Sequence, residues 1–193
     1  MAVDRPRLPE ASLAGWEETE TTESRPFDAR VVSVHAHTAV YDDTRLREQI
    51  ADATGVDGQW RFFVAARLAL EPRTAPSGPL TRLVADRAHA GFADRLAERG
   101  LTDVRERDTT TRQVDGCEAR VGRFTAVYDA GPVSVRTTAR VAVRPDGDSY
   151  LLAGGAYPTT VRDGDPDTAR AVGSLLDPDR FDTEQRELVA TVE

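Results

Sequence analysis

Lysine is absent: all 25 basic residues are arginine, and 33 acidic residues set the net charge at −8. An acidic surface free of ammonium groups fits concentrated intracellular salt, where screening lengths are short and dense carboxylates maintain hydration and solubility. Base composition alone accounts equally well for arginine over lysine, and less well for the acidity. Clustered positive charge is lacking too. The arginines are interleaved with Asp and Glu along the chain, and nucleic-acid binding depends on clustered positive charge that releases counterions, so no nucleic-acid partner is expected. Cys117 is the one cysteine, which excludes an internal disulfide and a cysteine-based zinc cluster and fits a reducing compartment. No apolar run approaches the length that spans a bilayer, and the opening residues MAVDRPRLPEASLAG lack the apolar core of a secretory signal. The expectation is a soluble protein of the cytoplasm with no membrane span.

What is present points to one domain. A chain of 193 residues with 39% hydrophobic content can bury a proper core. Residues 1–12, with two prolines and mixed charge, and residues 181–193 are expected to be loose termini, the first a disordered or loosely docked leader and the second a weak final helix or a frayed tail.

Between Leu101 and Tyr157, four strand-like segments are separated by Asp115-Gly116, Ala130-Gly131-Pro132 and Pro145-Asp146-Gly147-Asp148, the residue types of tight turns. In Val133 to Val143, the valines and Ala139 share one parity while Ser134, Arg136, Thr138 and Arg140 share the other, the pattern of a half-buried strand with a wet face. Trp16 and the acids after it predict an edge strand whose carboxylates discourage pairing with other chains, and Ser24-Arg25-Pro26 predicts a turn. Arg30 to Tyr41 alternates, with Val32, Val34, Ala36 and Val40 against Ser33, His35, His37 and Tyr41. In Gln59 to Leu70, Trp60, Phe62, Val64, Ala66, Leu68 and Leu70 share one parity, which marks the sheet centre, and Phe63 on the other parity indicates that both faces are covered.

Helices are expected at Thr44 to Ala53, burying Leu46, Ile50 and Ala53 and ended by Gly55, and at Asp167 to Leu176, stopped by Asp177-Pro178-Asp179. The main helix begins at Pro79 and carries Leu80, Leu83, Val84, Ala88, Gly91, Phe92 and Leu96 at three- and four-residue spacing up to Gly100. Its stripe has only the sheet to pack against. The fold class is therefore α+β: a twisted antiparallel β-sheet with helices packed on its faces.

His35-Ala36-His37 is the most tempting chemical feature, because residues two apart on a strand point the same way and two imidazoles are half of a metal site. A third ligand would have to be His89, beside the stripe of the main helix, or Asp42 or Asp43. The alternative is a hydrogen-bonded or solvent-facing pair on a wet strand. Gly154-Gly155 lacks the third glycine, the lysine and the following helix of a phosphate loop, and marks a bulge or close backbone packing. Asp163, Asp165 and Asp167 alternate without the acid that a calcium loop needs at its twelfth position. Cys117 is placed as a small buried apolar residue, and no serine sits in a nucleophile elbow. Trp16 and Trp60 anchor the core, although Trp16 left exposed on an edge would mark a contact surface. No catalytic residue, metal site or cofactor follows. The candidate binding residues are Trp16, His35, His37 and Tyr41.

The helix ending Leu96-Ala97-Glu98-Arg99-Gly100, the strand Asp103 to Arg112, the turn with Gly116 and Ala119 in a G-x-x-A arrangement, the strands onward to Tyr157 and a closing helix at Ala169 to Leu176 that includes Ser174 together resemble the Mog1/PsbP-like family, which includes the DcrB-type envelope proteins. The resemblance covers about residues 80 to 177. It implies an antiparallel sheet with helices on both faces and no catalytic activity of its own. Known members act by contact: the plant proteins support the oxygen-evolving side of photosystem II and the eukaryotic ones bind the small GTPase Ran, and neither partner is implied for this chain. The helix at Thr44 to Ala53 departs from the family pattern. The lysine-free acidity is similar to the proteome style of salt-accumulating haloarchaea. The leading expectation is a non-catalytic binding or protein-interaction module adapted to high salt, with self-association into a homo-oligomer open to it. Its rivals are a carrier holding a small apolar ligand between the sheet and the helix at Pro79 to Arg99, and a metal-dependent enzyme built on His35 and His37.

Overall fold

The alternating segments pair as their periodicity predicts in the computed structural model, which describes residues 3–28 and 33–193. In chain order the described residues form β1 (Trp16–Asp28), β2 (Ser33–Asp43), α1 (Thr44–Thr54), β3 (Phe62–Glu71), α2 (Gly78–Glu98), β4 (Leu101–Val114), β5 (Cys117–Asp129), β6 (Val133–Asp146), β7 (Ser149–Gly164), α3 (Pro166–Leu175) and α4 (Pro178–Thr191). All seven strands join one antiparallel sheet in the order β1-β2-β3-β7-β6-β5-β4. This is an α+β fold. The expected start of the second strand at Arg30 to Val32 lies outside the described residues.

Local chemistry sets most of the boundaries. At the β4–β5 hairpin Asp115 and Gly116 both take positive φ, +50° and +73°, the pair of angles that a two-residue turn matched to strand twist requires. The side chain of Asp43 caps α1 by accepting from the Leu46 amide at 2.9 Å, and Gly55 ends that helix at φ +74°. Ala53, expected inside, is exposed. Ser24-Arg25-Pro26 makes a register shift within β1 rather than a turn, and β7 runs through Thr159 to Gly164. Both edge strands are irregular. β1 and β4 each carry two register shifts, a device that blunts edge-to-edge pairing.

Each face of β3 has its own cover. Phe62, Val64, Ala66, Leu68 and Leu70 pack with Phe92 and Leu96 of α2 and with Phe124 and Val141. Phe63 and Ala65 pack on the other side with Leu151, Ala153, Leu188 of α4 and Val192. A third cluster joins Leu46 and Ile50 of α1 to Val172 of α3, Phe181, Trp60 and Tyr157.

Two expectations are corrected here. The termini are docked: Val3 and Pro6 are buried, the Arg7 amide donates to the Glu193 carbonyl at 2.7 Å and the Glu193 amide to the Arg7 carbonyl at 2.9 Å, and α4 buries Phe181, Gln185 and Leu188. The two ends hold each other because both are needed over the Phe63 side of the sheet. The stripe of α2 is also rotated. Leu83 is 56% exposed, while Ala85, His89, Phe92 and Leu96 are the buried positions.

His89 fits under α2 because β5 presents a glycine there. A Cβ on Gly122 would lie 2.9 Å from Nδ1 of His89. The ring stands edge-on to Phe124 at 6.4 Å, with Nδ1 3.6 Å from a Glu106 carboxylate oxygen, and Nε2 has no hydrogen-bond partner among the described residues. Burial pushes the imidazole pKa down, against the upward pull of Glu106 and Asp86.

Close approach governs β7 as well. A Cβ on Gly154 would collide with the Arg140 carbonyl and sit 2.6 Å from Cα of Val141, and one on Gly155 would collide with the Phe62 carbonyl and sit 3.0 Å from Cα of Phe63. The pair is close backbone packing, as its sequence context indicates. Beside it the buried Gln185 amide of α4 donates to the carbonyls of Gly155 at 3.0 Å and Arg140 at 3.4 Å.

Two outcomes test this packing. Gly154→Ala and Gly155→Ala should each lose about 3 kcal/mol or more in urea unfolding, whereas Gly91→Ala, mid-helix with nothing within 4 Å of the added methyl, should gain about 0.5 to 1 kcal/mol. Equal effects at the three sites would refute the close-approach account. For His89 the folded-state pKa lies below the unfolded one, so its contribution is present above the unfolded value and is lost as pH falls. Wild-type stability should therefore drop from pH 7 to pH 5.5 by up to about 1.4 kcal/mol per pH unit more than that of His89→Phe. Parallel stability–pH curves for the two proteins would rule this out.

Candidate functional site

Three of the four candidate binding residues share one parity of β2. His35, His37 and Tyr41 stand opposite Ala69, Arg67 and Phe63 of β3, on the face that the N-terminal residues cover. The two imidazoles take different partners. Nε2 of His35 meets Glu71 at 2.8 Å, and Nδ1 of His37 meets the Val3 carbonyl at 3.3 Å with Glu23 at 3.7 Å. The His35 hydrogen bond draws the Glu71 carboxyl below its usual range. Burial raises the Tyr41 phenol, against the pull of the Arg5 guanidinium. Among the described residues no group of three or more His, Cys, Asp or Glu side chains is placed to hold a metal ion.

Trp16 is half-buried and packs, away from the two histidines, against the cluster that holds Tyr41 and Phe63. Its ring meets Phe63 edge-on at 6.4 Å, and the Arg61 guanidinium lies 4.7 Å from its centre. The same guanidinium lies 4.7 Å from the centre of Phe181. Arg61 is 3% exposed and donates to Asp43 at 3.0 Å, to Glu184 at 2.6 Å and to the Phe181 carbonyl at 3.2 Å. One cation thus ties β1, the α1 cap, β3 and α4 together. A trough of about 330 Å³ lies beside it, lined by Trp16, Arg45, Leu46, Arg180 and Glu184 among others.

Two remaining sequence candidates resolve differently. Cys117 is exposed, a correction to the buried placement, because it opens β5 at the hairpin mouth beyond the core. Asp165 caps α3, accepting from the amide and the hydroxyl of Thr168 at 2.9 Å each, and those bonds hold its carboxyl below the usual range.

A surface that motif reading did not assemble lies on the same side of the sheet as α4. That helix runs along β7, and beyond it β4, β5 and β6 present Asp108, Thr110, Arg112, Val121, Arg123, Thr125, Arg136, Thr138, Arg140 and Ala142. Register orders them into rows: Val121, Ala142 and Ala153 form an apolar row that Thr110 ends at β4, and the next row places Arg123 directly opposite Arg140. Asp108 holds Arg123, and Asp182 holds both Arg140 and Arg186 at 2.5 Å. Asp182 also accepts from the Tyr157 hydroxyl at 2.8 Å. Burial and that carboxylate push the Tyr157 phenol up to about 12, so it stays a donor. A groove of about 510 Å³ runs between α4 and β4, and a second hollow of about 290 Å³ adjoins it. Eight arginines and three aspartates line the two, so this face is locally positive on an acidic chain. The alternation that interleaves Arg with acids along the chain separates them in space, because period two sends neighbours to opposite faces.

Residues 5–193 match a family model described as a domain of unknown function (DUF6517). No curated protein matches the chain.

The Arg61 contacts predict their own loss. Arg61→Met should lower stability by about 3 kcal/mol, since it leaves Asp43 without its cation, and Arg61→Lys should lose less because charge remains while the planar stack does not. Urea midpoints at fixed salt measure both, and a Met variant as stable as wild type would show that the stacked guanidinium holds nothing.

Proposed function

The chain belongs to the DUF6517 family, and from that footing we propose that it is a non-catalytic, protein-binding module whose contact surface is the arginine-bearing face of β4, β5 and β6. The single observation behind this is the uncovered, positively charged sheet face on a chain of net charge −8. Solvated arginines alone would not need a flat apolar row beneath them. Here Val121, Ala142 and Ala153 lie under the guanidinium groups, the combination of apolar floor and charged rim found at binding surfaces. The resemblance to Mog1/PsbP-like proteins, which act by contact, supports the same reading. High-salt adaptation belongs to it as well, supported by the absence of lysine and the excess of carboxylates. So does a cytoplasmic setting, which the lone Cys117 supports. No helix among the described residues is long and apolar enough to cross a membrane.

The test compares three immobilised proteins at the host's own salt concentration: wild type, Arg112→Glu/Arg136→Glu on the proposed face, and Arg82→Glu/Arg87→Glu on the exposed side of α2. Wild type and the α2 variant should retain the same host proteins, and the face variant should lose them. Retention of the full set by the face variant would remove the arginine surface as the contact site.

A further inference from the structure

Resting on the contact reading just given, the geometry points to a carboxylate-rich protein segment as the occupant: an extended or helical stretch with small apolar residues between its acids, lying in the groove between α4 and β4. Three features of that groove select this chemistry. Its floor is apolar, formed by Val121, Ala142 and Ala153 with Val189 of α4 as a wall, which suits small aliphatic side chains. Its charge is positive on balance: four arginines line it against Asp108 and Asp115, with Asp182 shared by Arg140 and Arg186. And two of those arginines are held face to face, Arg123 opposite Arg140 in the β5–β6 register, although like charges directly opposite on neighbouring strands repel.

Asp108 pairs with Arg123 and Asp182 with Arg140, and both arginines line the groove, where a further anion can reach the pair. A carboxylate placed there would accept from both guanidinium groups. The guanidinium of Arg112, exposed at the β4 side of the groove, makes no ion pair or hydrogen bond among the described residues, and it supplies a second anchor for an acid further along the segment. The guanidinium groups of this face already bind planar carboxylates within the chain. Arginine offers such groups two parallel N–H donors.

The same features disfavour the other occupants. Single-stranded nucleic acid is held by stacking of bases on aromatic side chains, and no aromatic residue lines either hollow. Duplex binding relies on phosphate contacts spread along a long polyanion, which would run from this face onto the acidic remainder of the molecule.

The probe is a twelve-residue peptide alternating Glu and Ala, titrated to millimolar concentration into isotopically labelled full-length protein at two salt concentrations, with amide shifts recorded. The expected result is saturable shifts centred on Val121 to Arg123 and Arg140 to Ala142, with affinity at least tenfold weaker in Arg112→Glu and changed less than twofold in Arg82→Glu. The Gln-Ala peptide should leave the spectrum unchanged. No shifts in wild type, or shifts that Arg112→Glu leaves intact, would overturn the carboxylate segment as occupant. So would tighter binding of a twelve-nucleotide single strand or a short DNA duplex at the same face, or a mass rise in light scattering that Arg112→Glu abolishes, since those outcomes assign the groove to nucleic acid or to a second copy. If the peptide fails while host proteins still depend on Arg112 and Arg136, this inference falls and the contact reading stands. If both fail, the face is not a binding surface.

Discussion

The whole sheet depends on how closely β7 can approach the strands on either side of it. Two local meanders, β1 to β3 and β4 to β7, meet only where β7 inserts between β3 and β6. At that insertion Gly154 stands opposite Val64 and Val141, and Gly155 opposite Phe63 and Arg140. Any side chain there would strike the neighbouring backbone. Absence of Cβ costs unfolded-chain entropy, and what it secures is the strand pairing that joins the two meanders into one sheet. The buried Gln185 amide then docks on the carbonyls beside this junction, so the glycine pair also determines where α4 lies.

The position of α4 in turn decides which part of the sheet stays bare. Seven strands at about 4.8 Å spacing span about 29 Å, and one helix with its side chains covers about 10 Å. On the α2 side, 21 helical residues and the large rings Phe92 and Phe124 fill the space. On the other side α4 takes β7, and the N-terminal segment takes the region of β2 and β3 around Tyr41 and Phe63. Nothing among the described residues plays that part for β4 to β6. The residues there obey the resulting solvation: arginine stems lie over small apolar residues while their heads reach water.

Strand identity was legible because it is local. The parities of β3 and β6, the Asp115-Gly116 hairpin and the glycine end of α1 are all written within a few residues of each other, and the fold class follows from them. Helix rotation was less legible: α2 has an apolar residue on nearly every side, and what selects Ala85 and His89 over Leu83 is Gly122, some 30 positions away in another strand. The termini were misjudged because their burial depends on each other, through Arg7 and Glu193. Of the candidate residues, Trp16 proved to be part of a packed cation stack, and His35 and His37 shared a face as periodicity requires while bonding separately. The arginine face could not be found by motif at all. It combines Arg112, Arg123, Arg140 and Arg186 from four elements, and only the register of a fully formed sheet sets them side by side.

That register also constrains how such a face can act in the concentrated salt proposed for this chain. At 1 M ionic strength the screening length is about 3 Å, so a positive patch exerts almost no pull on a distant acidic partner, and steering by the molecule's overall field vanishes. What survives is contact: a guanidinium within hydrogen-bonding distance of a carboxylate, over a floor whose burial salt strengthens rather than weakens. Lysine, a strongly hydrated point charge, has little to offer under those conditions, whereas arginine keeps its planar two-donor geometry and is more weakly hydrated. A recognition surface built from arginine over valine and alanine would therefore lose its long reach in such salt and keep its selectivity.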